Sequence, residues 1–196
     1  MLSHMIRQRG IGKSFTRRSL NYEKINIMAL TTNVIGDIGE MTVSIRLLEF
    51  GLFNVYLLGG KVPAFDLLAE LIPQNAQEKP YQFLIQVKST DIAHPYTKID
   101  RRLKTPVPDK KYQALIDRPL PTYVAGVDLN TADVYLVPAF DRAKSFRNSI
   151  PTGFKLIGKP KKDSNKRKLQ LLKNHIVQYW QHLNIDNYKP HYNSII

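Results

Sequence analysis

Two stretches of alternating residues constrain this chain more than any other feature: Ala64–Glu70 (AFDLLAE) and Tyr81–Ser89 (YQFLIQVKS). Alternation with period two marks a half-buried strand. In the later stretch Tyr81, Phe83, Ile85 and Val87 point one way, and Gln82, Leu84, Gln86 and Lys88 the other. In the earlier one Phe65, Leu67, Ala69 and Leu71 share an apolar face, with Asp66, Leu68 and Glu70 opposite. The loop between them, from about Pro73 to Pro80, is polar and bounded by prolines, which suits an antiparallel connection. That pairing sets the start of the first strand beside the end of the second. Asp66 then lies near Gln86 and Lys88 on one face. A carboxylate, an amide oxygen and an ammonium converge at one end of a sheet otherwise built from aliphatics.

The neighbouring elements follow from capping and period. Thr32 or Asn33 caps a helix that runs to about Phe50, and Gly51 ends it. Ile35, Ile38, Thr42, Ile45 and Leu48 form its apolar stripe, with Glu40, Val43 and Leu47 in an adjacent one. Glu40 is thereby placed at the margin of the buried face. Gly36 and Gly39 each weaken such a helix by roughly 1 kcal/mol relative to alanine, so a packed backbone or a close ligand is expected beside them. Phe53–Leu58 is a short strand ended by Gly59-Gly60. Asp91 to Pro108 is irregular, and Asp109–Asp117 is a short helix carrying Tyr112, Leu115 and Ile116. Thr122–Val127 and Val134–Val137 are two strands joined by the turn Asp128–Asp133. A last helix runs from about Ser164 to Leu183, with Leu169, Leu172, Ile176, Tyr179 and Leu183 as its buried stripe and Trp180 beside it.

The 196 residues suffice for one domain with a real core, and no internal repeat or domain boundary is visible. Residues 1–32 read as a flexible basic arm and 33–196 as the domain, with its core at 34–140 and a basic helical extension at 141–196. The arm has the composition of a transit peptide but no amphipathic helix, and Met28 is an alternative start. Gly10-Ile11-Gly12-Lys13-Ser14 lacks the four-residue glycine spacing and the preceding strand of a P-loop. There is no cysteine, which excludes disulfides and cysteine–zinc sites. No apolar run reaches the roughly 18 residues of a membrane helix, and a soluble, cytoplasmic protein is expected. Lys and Arg outnumber Asp and Glu 29 to 16, a formal charge of +13, which favours a polyanionic partner, nucleic acid before a membrane surface. The run Lys159, Lys161, Lys162, Lys166, Arg167, Lys168 is the expected phosphate-contacting surface.

The order helix, strand, strand, strand, helix, strand, with Glu40 in the first helix, Asp66 opening the second strand and Gln86-Val87-Lys88 closing the third, resembles the PD-(D/E)xK nuclease superfamily. It is most similar to bacterial members with the pattern GxxGE, then D, then QVKS: here Gly36-Asp37-Ile38-Gly39-Glu40, Asp66, and Gln86-Val87-Lys88-Ser89. The resemblance covers roughly Val34 to Phe140. Phe65 stands where a proline usually precedes the aspartate, and Gln86 where many members carry glutamate. The resemblance implies an α/β, restriction-endonuclease-like αβββαβ core with a mixed central sheet and an added C-terminal helix. It implies a magnesium-dependent endonuclease acting on DNA rather than RNA. Glu40, Asp66, Gln86 and Lys88 are its catalytic set, and Asp66, Gln86 and Glu40 its ligands for Mg²⁺ or Mn²⁺. A homodimer is a further expectation.

The chemistry of the residues is compatible with that set. Mg²⁺ takes oxygen ligands, usually one or two carboxylates with water and phosphate. Gln86 brings a neutral oxygen, so the site carries less charge than a glutamate would give it. Glu70 shares a face with Asp66 but lies four residues on, roughly 13 Å along a strand, too far for one metal. Each residue alone also has an ordinary structural explanation: a solvated strand-end aspartate, an edge-strand glutamine, a surface lysine, a glutamate near a helix N-terminus. A nuclease-like binding module without catalysis and an assembly protein on the same fold are therefore the competing expectations.

Overall fold

The computed structural model describes residues 31–59, 62–139, 148–159 and 164–182. The basic arm, apart from its last two residues, and Lys161, Lys162 and Leu183 lie outside them. Six strands form one sheet in sequence order: β1 (Phe53–Leu57), β2 (Leu67–Leu71), β3 (Gln82–Thr90), β4 (Thr122–Asp128), β5 (Asp133–Pro138) and β6 (Lys155–Leu156). Three helices flank it: α1 (Thr32–Leu48), α2 (Asp109–Ile116) and α3 (Ser164–His182). Among the described strands β3 and β4 pair in parallel, and the other neighbours are antiparallel. A parallel pair needs a long crossover, and residues 91–121, with α2 inside, supply it. The expected α/β architecture, an αβββαβ order on a mixed sheet with an added C-terminal helix, is present. No helix among the described residues is long and apolar enough to cross a membrane.

Both faces of the sheet are covered. On one, Phe83, Ile85 and Val87 of β3 pack with Leu67, Ala69 and Leu71, with Val43 and Leu47 of α1, and with Leu169, Leu172 and Ile176 of α3. On the other, Leu84, Val124, Tyr135 and Val137 pack beneath Tyr112 and Leu115 of α2 and beneath Leu103 and Ile150 of the loops. β4 and β5 are buried along their whole lengths, the signature of strands covered on both sides. Trp180 stacks on Tyr81 at 5.6 Å and donates its indole N–H to the Gln82 carbonyl at 2.9 Å, which ties α3 to the start of β3.

Three expectations need correction. The cap of α1 is Thr31, whose hydroxyl accepts from the Val34 N–H, and the helix gives way at Glu49–Gly51 to a 3-10 turn in which Phe50 has φ 69°. The buried stripe of α1 is Gly39, Val43 and Leu47; Ile45 and Leu48 are 57% and 50% exposed. The cause is Gly39: a Cβ there would lie 2.6 Å from the Ser89 side chain, so the helix rolls its glycine face, not its isoleucine face, onto β3. Finally, Phe65 does not share the face of Leu67, Ala69 and Leu71. Ala64 has φ 70°, the chain bends there, and Phe65 joins the opposite cluster while β2 begins at Leu67.

Candidate active site

The ladder between β2 and β3 runs from Glu70↔Gln82 to Leu67↔Ile85, and the Asp66 N–H adds a last bond to the Ile85 carbonyl at 3.0 Å. Beyond that point the bend at Ala64 carries the chain away, and β3 continues without a β2 partner. The next inward-facing donor, the Val87 N–H, is met instead by the Asp66 carboxylate at 2.6 Å. Asp66 thus stands in for the missing strand residue, and a notch opens beside it. The same oxygen, Oδ2, accepts the Gln86 side-chain N–H, which also donates to the Val87 carbonyl at 3.1 Å. Oδ1 accepts no hydrogen bond among the described residues.

Helices from opposite sheet faces close the notch. Ser89 donates its hydroxyl to the Ile35 carbonyl at 2.8 Å and packs against Gly39, which brings α1 over the end of β3. Glu40, half-buried on α1, is then near enough to Asp66 for the Asp66 carboxylate to raise the Glu40 carboxyl. From the other side α2 delivers Lys111, which lies within hydrogen-bonding reach of Lys88. The structure places Glu40, Asp66, Gln86 and Lys88 around this notch, with Lys111 beside Lys88. Lys111 was not anticipated. Its helix was legible, but the crossover that fixes that helix over β3 leaves no local trace.

The electrostatics follow from this crowding. Burial raises the Asp66 carboxyl above its ordinary value, against the pull of the Val87 N–H, Lys88, Lys111 and Gln86. Burial also raises Glu40, and Asp66 and then Asp37 push it further, while Lys88 opposes. Lys88 is lowered by burial first and by the Lys111 ammonium second, with Asp66 and Glu40 resisting. Gln86 is 1% exposed on a central strand, so it is no surface glutamine. Its Oε1 is buried and without a partner among the described residues. An orphaned buried oxygen costs free energy unless something binds it.

The open Oδ1 of Asp66 and the Glu40 carboxylate are oxygen ligands of the kind Mg²⁺ takes, whereas Gln86 turns its N–H toward Asp66. Among the described residues no three of His, Cys, Asp and Glu gather into a metal-binding group. The notch offers two carboxylates and an amide instead. Glu70 is elsewhere, accepting from Gln82 at 2.9 Å. Of the basic run, Lys159, Lys166 and Arg167 are exposed, and Lys168 lies over the Phe154 ring at 5.2 Å. Beside its described members, the Gly158 carbonyl accepts from Arg46 near the C-terminal end of α1 and Asn165 donates to Glu49. Glu49 is about 14 Å along the helix from Glu40.

No protein-family model and no curated protein sequence matches the chain. Among solved structures, a bacterial homing endonuclease is similar, at 16% identity and a TM-score of 0.47, over 78% of this chain and 99% of that one. A likeness of that size is too slight to carry function.

Proposed function

We propose that the chain is a metal-dependent nuclease that hydrolyses phosphodiester bonds in DNA. The observation that carries this is the notch: a carboxylate fixed by a backbone N–H where β2 leaves β3, with a second carboxylate and two ammonium groups turned into the same space. Asp66, Gln86 and Glu40 would hold Mg²⁺ or Mn²⁺. The chemistry such a cation supplies is Lewis-acid polarisation of the phosphoryl group and a more acidic water. Asp66 keeps Oδ1 available because its other oxygen is occupied by Val87 and Gln86. Lys88 and Lys111 lie side by side within the reach of Asp66, and a phosphate oxygen is a natural further partner for the pair. Lys88 then stabilises the charge that builds on phosphorus, in a half-buried site where such help is worth more than in water.

Cleavage of several DNA forms and of RNA, with Mg²⁺ or Mn²⁺ against chelator, tests the proposal. Asp66→Ala is expected to abolish cutting. Lys88→Ala is expected to lower the rate about 100- to 1,000-fold, typical for a lost transition-state donor, with DNA affinity little changed. If Asp66→Ala cuts as well as wild type, this notch is not the active site. A second reading, a binding module without catalysis, is favoured by one feature: Gln86 turns an N–H, not its oxygen, toward Asp66. Wild type inert with every metal, and cutting gained only by Gln86→Glu, would establish it. Self-association into a homodimer belongs to the same proposal, and light scattering on the full chain decides it.

A further inference from the structure

A cavity of about 760 Å³ lies between the loop at residues 93–104 and the turn joining β4 to β5, and His94, Lys98, Arg101 and Lys104 line it. Those four residues are exposed. The acid in the lining, Asp128, is 1% exposed and already engaged: Oδ2 accepts from the Tyr96 hydroxyl at 2.8 Å, and Oδ1 from the Asn130 backbone N–H at 3.0 Å. Among the described residues Lys98, Arg101 and Lys104 form no ion pair. The cavity therefore carries a net positive charge, three cations against the one buried carboxylate of Asp128, with Lys104 donating its ammonium to the His94 carbonyl at 3.0 Å.

The loop that carries these charges is built firmly. Leu103 exchanges backbone hydrogen bonds with Ile150 at 2.9 and 2.8 Å. Thr97 donates to the Arg102 carbonyl and Lys104 to the Pro95 carbonyl, each at 2.8 Å. Arg101 adopts φ 53° and lies over the Tyr96 ring at 5.7 Å. Little entropy remains to be lost when a ligand binds such a loop.

Its position relative to the notch follows from the parallel ladder. Lys88 pairs with Gly126 and Thr90 with Asp128, so Asp128 lies on the face of Lys88, two residues further along. Leu103, at 2.8 Å, and Ile150, at 3.1 Å, cover the place where a Cβ of Gly126 would be and stand between the notch and the cavity. Two residues of strand span ~7 Å, about two rises of a nucleic-acid strand at 3.4 Å each.

We propose that this cavity is a phosphate-binding subsite that holds the backbone of a DNA strand beside the cleavage notch. The inference rests on the nuclease reading of the notch, but its test does not need cleavage. The full chain is titrated in chelator with a labelled DNA duplex at several salt concentrations. The variant Lys98→Gln/Arg101→Gln/Lys104→Gln should bind at least tenfold more weakly near physiological salt. Its log K against log salt should be less steep than wild type by about 2 to 3, close to 0.9 per lost contact. Arg101→Lys, which keeps the charge, should retain the wild-type slope, and a melting curve checks that each variant folds. Lys166→Gln/Arg167→Gln should change the slope less than the loop variant does. An unchanged slope in the loop variant of a chain that binds and cuts DNA overturns the subsite and leaves the notch standing. The expected slope change in a chain that cuts no nucleic acid supports the subsite and removes the nuclease reading. A loop-dependent affinity for polyglutamate without any for DNA overturns the subsite in favour of an acidic protein partner.

Discussion

Gln86 decides how much charge the notch holds. Its side chain is buried, donates to Asp66 and to the Val87 carbonyl, and leaves its oxygen without a partner among the described residues. Glutamate at this position loses the donor and sets a second carboxylate against Asp66, whose carboxyl burial already raises. Two carboxylates in contact share a proton and push their titrations apart. In chelator near neutral pH, Gln86→Glu should therefore melt below wild type. The sign is set by the raised folded-state values: the native state then binds more protons than the unfolded one, so the deficit should shrink as pH falls through that range. Mg²⁺ should raise the melting temperature of the variant more than that of wild type. Equal melting of both proteins at all pH values and metal concentrations would show that residue 86 does not face Asp66.

At the scale of elements, the seat of α1 on β3 positions Glu40. Two glycines of that helix make opposite demands. Gly39 lies against Ser89, where a Cβ would intrude to 2.6 Å, whereas no described residue comes within 4 Å of a Cβ at Gly36. Gly39→Ala should destabilise the protein by about 1–3 kcal/mol, the usual cost of overpacking, and reduce cleavage by lifting Glu40. For a chain of this size each kcal/mol corresponds to roughly 2–4 °C in melting temperature. Gly36→Ala should instead stabilise by about 0.4–1 kcal/mol, because it only restricts the unfolded chain. A calorimetric scan of the two variants separates these outcomes, and destabilisation by Gly36→Ala would show that something packs there. α3 is fastened differently. His175 is buried and its Nδ1 meets the Tyr123 hydroxyl at 2.6 Å; burial pushes its pKa down to about 4. Below about pH 6.5 the unfolded chain takes up a proton that the folded one refuses. Stability should then fall as pH drops from 6.5 toward 4, by about 3 kcal/mol from this group, and level off below that. His175→Gln, which keeps an acceptor for Tyr123, should remove that part of the slope in denaturant titrations.

Over the whole molecule, the charge of +13 bears on association rather than on fold. If about six Lys and Arg contact phosphates, log K for duplex DNA should fall with log salt at a slope near −5. A slope near zero in a gel-shift or anisotropy series would leave the positive charge without that role. Among the described residues, positive charge gathers at the Lys88–Lys111 pair in the notch, on the loop at residues 93–104, and at the start of α3, where Lys166 and Arg167 are exposed. The first two share a face of the sheet, so a strand that enters the notch meets the loop next.

The sequence by itself determined the three helices, five of the six described strands (β6 at Lys155–Leu156 was not legible) and much of the notch. Alternation set the faces of β3, and the proline-bounded loop set its antiparallel partner; from these two facts Asp66 falls beside Gln86 and Lys88, because a two-residue period leaves no freedom once register is given. Helical spacing put Glu40 at the margin of α1 for a similar reason. It did not determine which stripe of α1 faces inward: two adjacent stripes were apolar, and the choice fell to a contact between Gly39 and Ser89, 50 positions away in the chain. Nor did it fix Phe65, whose side reversed because Ala64 takes a positive φ. Lys111 and the loop cations look like any other surface lysines and arginines in sequence. Only the parallel crossover from β3 to β4 carries α2 and residues 93–104 back over the same sheet face, and that packing is a long-range matter that no local period records.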